Sequence, residues 1–284
     1  MCYRQQNCRQ ILGKARSFGV VVLIWILLLL FLFPIIWTVL ASIKEQVDLF
    51  TLPPRFIFKP TFAAYQKILT AERFQTLLLN SLVVSTLSVA IAMLVGTPAA
   101  YALSRVEFRG KKDISFWIIS ARMAPPVVAI VPFLLLFRSL ALYDTRTGLV
   151  VLYLTFNLPF VVWMMSGYFA QVPYDLDEAA MLDGCDRFQA LRHAILPLVM
   201  PGFLATATIS FIYSWNEFFF AYVLTGRNAQ TMPVGISGFL TQHGVHWDEV
   251  TATGTLVMLP ILIIGLFIQR YFVEGIVEGA LAGQ

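Results

Sequence analysis

Residues 74–104 read FQTLLLNSLVVSTLSVAIAMLVGTPAAYALS, a stretch without a charged side chain, closed by Arg73 at one end and Arg105 at the other. A helix needs about 20 apolar residues to cross the roughly 30 Å hydrocarbon layer of a bilayer, and this stretch exceeds that length. Outward from it, three more charge-free windows appear: 17–43 between Arg16 and Lys44, 147–174 between Arg146 and Asp175, and 250–269 between Glu249 and Arg270. Two further windows hold one interior charge each, Arg122 in 114–137 and Glu217 in 194–226. The expectation is an all-α, polytopic membrane protein with six transmembrane helices, near 18–41, 75–103, 114–138, 148–170, 201–225 and 251–271. That membrane domain, 18–273, lies between a tail of residues 1–17 and a tail of residues 274–284, and it contains a long loop, 172–201.

Composition supports the same class. Of 284 residues, 58% are apolar and 13% charged, with a mean hydropathy of +0.76. A water-soluble domain carries about 25% charged residues, so much of this surface must face lipid. The net charge of +4 forms no basic stripe with interleaved aromatics, which argues against a nucleic-acid partner. The basic residues sit beside the apolar runs instead, as contacts to lipid headgroups would. The first apolar run is longer than the 7–15 residues typical of a signal-peptide core and is expected to be a retained helix. Three cysteines, Cys2, Cys8 and Cys185, suggest no disulfide framework. Six spans put both termini on one side. Lys and Arg number eleven on that side against eight on the other, with dense clusters at 4–16 and 105–112. This bias favours cytoplasmic termini, with 44–73 and 225–250 external.

The loop between the fourth and fifth spans, VPYDLDEAAMLDGCDRFQALRHAILPLVMP (172–201), holds the most information. Pro173 stops the span before it, and Asp175 with Glu178 matches a capping box, so a helix is expected from about Leu176. Gly184 suits the left-handed residue that closes such a helix. A second helix is expected from about Arg187 with Phe188, Leu191 and Ile195 on one face, and Pro197 and Pro201 then turn the chain into the membrane. Helices that lie on lipid are usually rich in Lys and Arg. This one has Asp175, Asp177, Glu178, Asp183 and Asp186 against Arg187 and Arg192, a balance that fits a protein partner with basic groups better than anionic headgroups.

The run Glu178-Ala179-Ala180, then Gly184, then Leu196-Pro197 resembles the EAA signature of ABC-importer permeases. Ala194 and Cys185 depart from the commonest residues of that pattern without changing its charge. Asn80-Ser81, Ala99-Ala100-Tyr101-Ala102-Leu103, Phe108-x-Gly110-Lys111, Trp215-Asn216-Glu217 and a glycine-spaced tail beyond Tyr271 are similar to the carbohydrate, maltose-type branch. The resemblance implies the type I permease fold of a binding-protein-dependent importer in a bacterial or archaeal inner membrane. It also implies a second, homologous permease subunit, a dimer of ATPase subunits that bind ATP and Mg, and an external solute-binding protein. This chain would itself hold no cofactor. Asp175, Glu178, Ala179, Ala180, Asp183, Gly184, Leu196 and Pro197 would then form the coupling elbow seated on the ATPase.

Polar groups inside the spans mark a candidate solute path. A charge at mid-membrane costs about 3 kcal/mol even on a lenient scale, so Asn216 and Glu217 either line a watery path or contact another helix. Arg122 is expected about 12 Å from the cytoplasmic edge and Glu217 about 22 Å from it, in the outer third, with no direct pair between them. Pro125 and Pro126 should break or kink the third span, and Asn157 with Pro159 in the fourth either lines the path or packs. His243 and His246 lack a third ligand nearby, so no metal site is expected. Gly275, Gly279 and Gly283, beside Glu274 and Glu278, form either an interface with the ATPase or a frayed end. No GxxxxGK[ST], HExxH or GxSxG motif appears, which makes the chain a non-catalytic transport subunit. The rival readings are an ion-coupled secondary transporter, which would need more intramembrane carboxylates, and an intramembrane enzyme, which would need a nucleophile–base or metal set at depth.

Overall fold

The computed structural model describes residues 2–123, 125–238, 240–241 and 244–282, with side chains for 19–123, 125–238 and 246–269. Fourteen α-helical segments follow in order: α1 (Cys2–Ser42), α2 (Gln46–Leu49), α3 (Ala63–Thr70), α4 (Glu72–Arg105), α5 (Lys111–Met123), α6 (Pro126–Ser139), α7 (Arg146–Ala170), α8 (Asp175–Leu182), α9 (Arg187–Ala190), α10 (Leu196–Leu198), α11 (Met200–Trp215), α12 (Phe219–Leu224), α13 (Met232–Ser237) and α14 (Trp247–Ala282). A π-helical turn, Leu191–Ile195, joins α9 to α10. His243, the side chains of the N-terminal tail with Cys2 and Cys8, and those of the glycine-spaced C-terminal tail lie outside the described residues.

Four helical stretches are each long and apolar enough to span a bilayer: Gly19–Ser42, Glu72–Arg105, Arg146–Ala170 and Trp247–Gln269. The other two expected spans are interrupted. Between α5 and α6 the axis turns by 92° at the Pro125–Pro126 pair, whose rings leave two backbone donors missing. The stretch expected as one span at 201–225 is two helices, α11 and α12, separated at Asn216–Phe218.

The chain divides into two compact units. The first, residues 1–68 with 241–256, holds α1 and the segment after it. Here Lys44 is buried: its ammonium donates to the Arg55 carbonyl at 2.8 Å and lies over the Trp37 and Phe58 rings. Tyr65 is hydrogen-bonded to Ser42 at 2.7 Å, and Lys67 pairs with Glu249.

The second unit, 69–240 with 257–284, contains both hydrophobic clusters. The buried face of α4 repeats at helical spacing through Leu77, Val84, Ser88, Ala92, Gly96 and Ala100 and packs along α7. The helices come close enough that a Cβ on Gly96 would sit 2.7 Å from Val161 Cγ1. One cluster gathers around Leu149, Tyr153, Phe220 and Leu224. The other gathers around Tyr101, Met165, Phe169, Leu191 and Ile195, so the 172–201 loop is part of the core and not a loose excursion.

Candidate functional site: an inter-span elbow and an intramembrane cavity

Within 172–201 the backbone forms a helix, a glycine corner and a second helix. The helix starts at Asp175, as its Asp177 and Glu178 amides bond back to the Tyr174 carbonyl. The capping box expected at Asp175–Glu178 is not formed, because Tyr174 is already helical and no side chain caps the end. The box occurs one helix later: Asp186 accepts from the Gln189 amide at 2.8 Å, and Gln189 Oε1 accepts from the Asp186 amide at 2.9 Å. That S/T/D-x-x-Q spacing was present in the sequence and is the one the backbone uses. Gly184 adopts φ +90°, and the Cys185 amide reaches back to the Ala180 carbonyl at 3.1 Å, closing the helix. The second helix buries Ala190, Leu191 and Ile195, whereas Phe188 remains 62% exposed. Phe188 and Leu191 nonetheless line one groove, together with residues of α4 and α11. Beyond Pro197 the axis bends by 85° into α11.

The elbow therefore has two sides. Asp175, Glu178, Ala179, Asp183, Gly184 and Pro197 are exposed, while Ala180 and Leu196 are half-buried. Beside them stand two apolar side chains, Leu182 at 88% exposure and Phe188. On the inner side Asp177 is the one buried residue of α8. Its carboxylate accepts from Tyr101 Oη at 2.5 Å and lies 2.9 Å from Arg105 Nε, an ion pair without hydrogen-bond alignment. Arg105 Nη2 donates to the Val172 carbonyl at 2.8 Å, and the Tyr174 ring stacks on the guanidinium at 4.4 Å while its hydroxyl donates to the Ser104 carbonyl. Sequence reasoning placed Arg105 among the headgroup contacts; it is buried instead, because Asp177 supplies its counter-charge.

A cavity of about 480 Å³ lies farther along the unit, lined by Arg122, Pro125, Pro126, Phe133, Phe156, Tyr213, Glu217 and neighbours. Arg122 and Glu217 are thus brought to one cavity, with no ion pair between them among the described residues. Arg122 stacks over Phe160 at 4.2 Å and Tyr213 at 5.0 Å. Glu217 sits in the break between α11 and α12 and accepts from the Phe220 and Ala221 amides at 2.8 and 3.0 Å, and from Tyr153 Oη at 3.1 Å. The carboxylate meets amides that a helix start leaves without partners, a local solution that window-reading of charges does not reveal. Asn216 caps α11 through the Ile212 carbonyl. Asn157 does not line the cavity; it is 1% exposed and donates to Ser214 Oγ at 2.7 Å.

At the opposite end of the unit from the elbow, two polar residues that sequence reasoning did not single out as structural clamps hold the loops. Asp144 accepts from the amides of Gly226, Arg227, Asn228 and Ala229 at 2.8–3.1 Å, and from Asn228 Nδ2. Burial pushes its carboxyl up, but these backbone donors outweigh it and hold the group below the usual carboxylate range. Asn80, fully buried, donates to the Asn228 and Gln230 carbonyls and accepts from Arg146 Nε at 2.6 Å. No cluster of metal-ligating side chains occurs among the described residues.

Residues 92–278 match the family described as binding-protein-dependent transport system inner membrane component. The chain is 40% identical over 260 residues to a probable ABC transporter permease protein of Sinorhizobium fredii, covering 91% of this chain and 94% of that protein. It is 36% identical to the trehalose/maltose transport system permease protein of Thermococcus litoralis, over 89% of this chain and 92% of the relative. Among solved structures it superposes on a bacterial ABC transporter involved in the import of the acidic polysaccharide alginate, with a TM-score of 0.76 and 26% identity, covering 90% of this chain and 97% of that one.

Proposed function

This chain belongs to the family of binding-protein-dependent transport system inner membrane components, and we infer from that premise that it is the permease subunit of an ABC importer for a carbohydrate-like solute. Relatives named for trehalose/maltose and for diacetylchitobiose uptake support the solute class. The elbow faces the cytoplasm with both termini and seats on a separate ATPase subunit, which binds ATP and Mg; a homologous permease and an external solute-binding protein complete the assembly. One observation carries the coupling role: an acidic, glycine-cornered helix pair exposes Glu178, Leu182, Asp183 and Phe188 outward while its inner side is anchored in the core. Aromatic side chains around a half-buried carboxylate and a guanidinium suit a polyhydroxylated solute, so the 480 Å³ cavity is the candidate path. The ion-coupled alternative is not favoured, since the Glu217 carboxylate is already engaged by two amides and a tyrosine.

The test is a cysteine placed at Leu182, cross-linked in membranes that hold the full complex. Adduct formation with the ATPase subunit is expected, as is sugar uptake that requires ATP. Uptake by this chain alone in sealed vesicles, with no ATPase present, would overturn the reading.

A further inference from the structure

The elbow is covalently continuous with α7 and α11, and its first helix packs on α9 and the π turn, yet its buried polar contacts go to a different element. In α8 the sole buried side chain is Asp177, a carboxylate, so no apolar stripe fastens this helix to the membrane body. Its polar contacts converge on the last turn of α4: Asp177 to Tyr101 and Arg105, and Tyr174 to Ser104 and Arg105. Arg105 also holds the Val172 carbonyl, tying the end of α7 to the same point. From there α4 runs as one helix of 34 residues, about 50 Å at 1.5 Å per residue. Near its other end Asn80 grips the 228–230 backbone and Arg146, and Ser81 accepts from the Met232 amide at 2.7 Å. A buried ion pair resists sliding, because displacement would leave each charge without its partner in a dry site.

We propose that α4 is a connecting rod, with Arg105 and Asp177 as the positioning pair that passes elbow movement to the loops gripped by Asn80. This proposal rests on the elbow seating on the ATPase. Load applied to α8 passes through Asp177 to α4, travels along a continuous helix packed against α7, and arrives where Asn80 holds 228–230. In reverse, a partner pressing on the 226–231 loop is felt at the elbow.

The test uses the reconstituted complex and reads solute moved per ATP hydrolysed, together with the amount of ATPase subunit retained. Asp177→Asn is expected to lower solute per ATP at least tenfold while the ATPase subunit stays bound in wild-type amount. The exchanged pair, Arg105→Asp with Asp177→Arg, should recover that ratio to within threefold of wild type. Asn80→Ser should also lower it, and because the links act in series, the double variant with Asp177→Asn should be no worse than the worse single one. A wild-type ratio in Asp177→Asn, losses that track only the amount of assembled complex, no recovery in the exchanged pair, or losses that multiply in the double variant would each overturn the rod. If instead the wild-type elbow fails to cross-link to the ATPase, the underlying functional reading fails and the rod is not at issue.

Discussion

The two ends of the second unit each fix a connection with one carboxylate, and they do so by opposite means. At the elbow, Asp177 meets a side-chain cation and a phenol in a site where Arg105 and Asp177 side chains are 2% and 7% exposed. At the far end, Asp144 meets four backbone amides and a side-chain amide. A carboxylate held by backbone donors depends chiefly on one side chain, since residues other than proline at 227–229 all supply amides. One held by a cation depends on two, and losing either strands the other. The first arrangement is a fixed staple; the second is a joint that can be weakened, exchanged or shifted as a unit.

The largest expected effect tests that dependence. Arg105→Ala should leave Asp177 buried and uncompensated, at a cost of about 3–5 kcal/mol, while Arg105→Met combined with Asp177→Leu should recover most of it. Chemical denaturation of the detergent-solubilised chain measures both, and equal losses in the two would erase the distinction between joint and staple. Next comes Asp144→Ala, expected to cost about 1–2 kcal/mol, the low end for a charged hydrogen-bonded group that is partly open to water. Because its pKa is depressed in the fold, its contribution is present above the ordinary carboxylate value near 3.9 and is lost as pH falls through the lower folded value. Hydrogen exchange at 226–229 should accelerate in that acid window, and Asp144→Asn should remove the pH step. Gly184→Ala should cost about 1 kcal/mol, from its positive φ alone, since nothing lies within 4 Å of an added Cβ. A larger loss in the same denaturation assay would mean that the corner is crowded. Smallest is Glu178→Gln on the exposed side of α8: stability should change by less than about 0.5 kcal/mol, with the effect appearing only in retention of the ATPase subunit.

What the sequence revealed follows from the range of the forces involved. Charge-free windows mark the spans because lipid penalises every charge along its whole thickness, and Gly184 was legible because a helix stop is decided within four residues. Asp177 was not legible as a buried partner: Tyr101 lies 76 positions away, and nothing local separates it from its exposed neighbours Asp175 and Glu178. Asp144 stands 82–85 positions from the amides it binds, and amides carry no sequence signal. The break at Asn216–Phe218 was hidden because apolar residues continue on both sides of it, so hydropathy sees one span where hydrogen bonding makes two helices.

One consequence concerns how freely the sequence can drift. In α1 every residue from Gly19 to Ile36 is exposed, so the shape of that stretch owes most to a solvent that cannot replace backbone hydrogen bonds. Scrambling its leucines, isoleucines and valines among themselves should leave the helix intact, whereas the same liberty on α4 stops at Gly96, where one added methyl strikes Val161. Within a single polypeptide, then, one crossing is specified by little more than oiliness and length, and another by the placement of individual atoms.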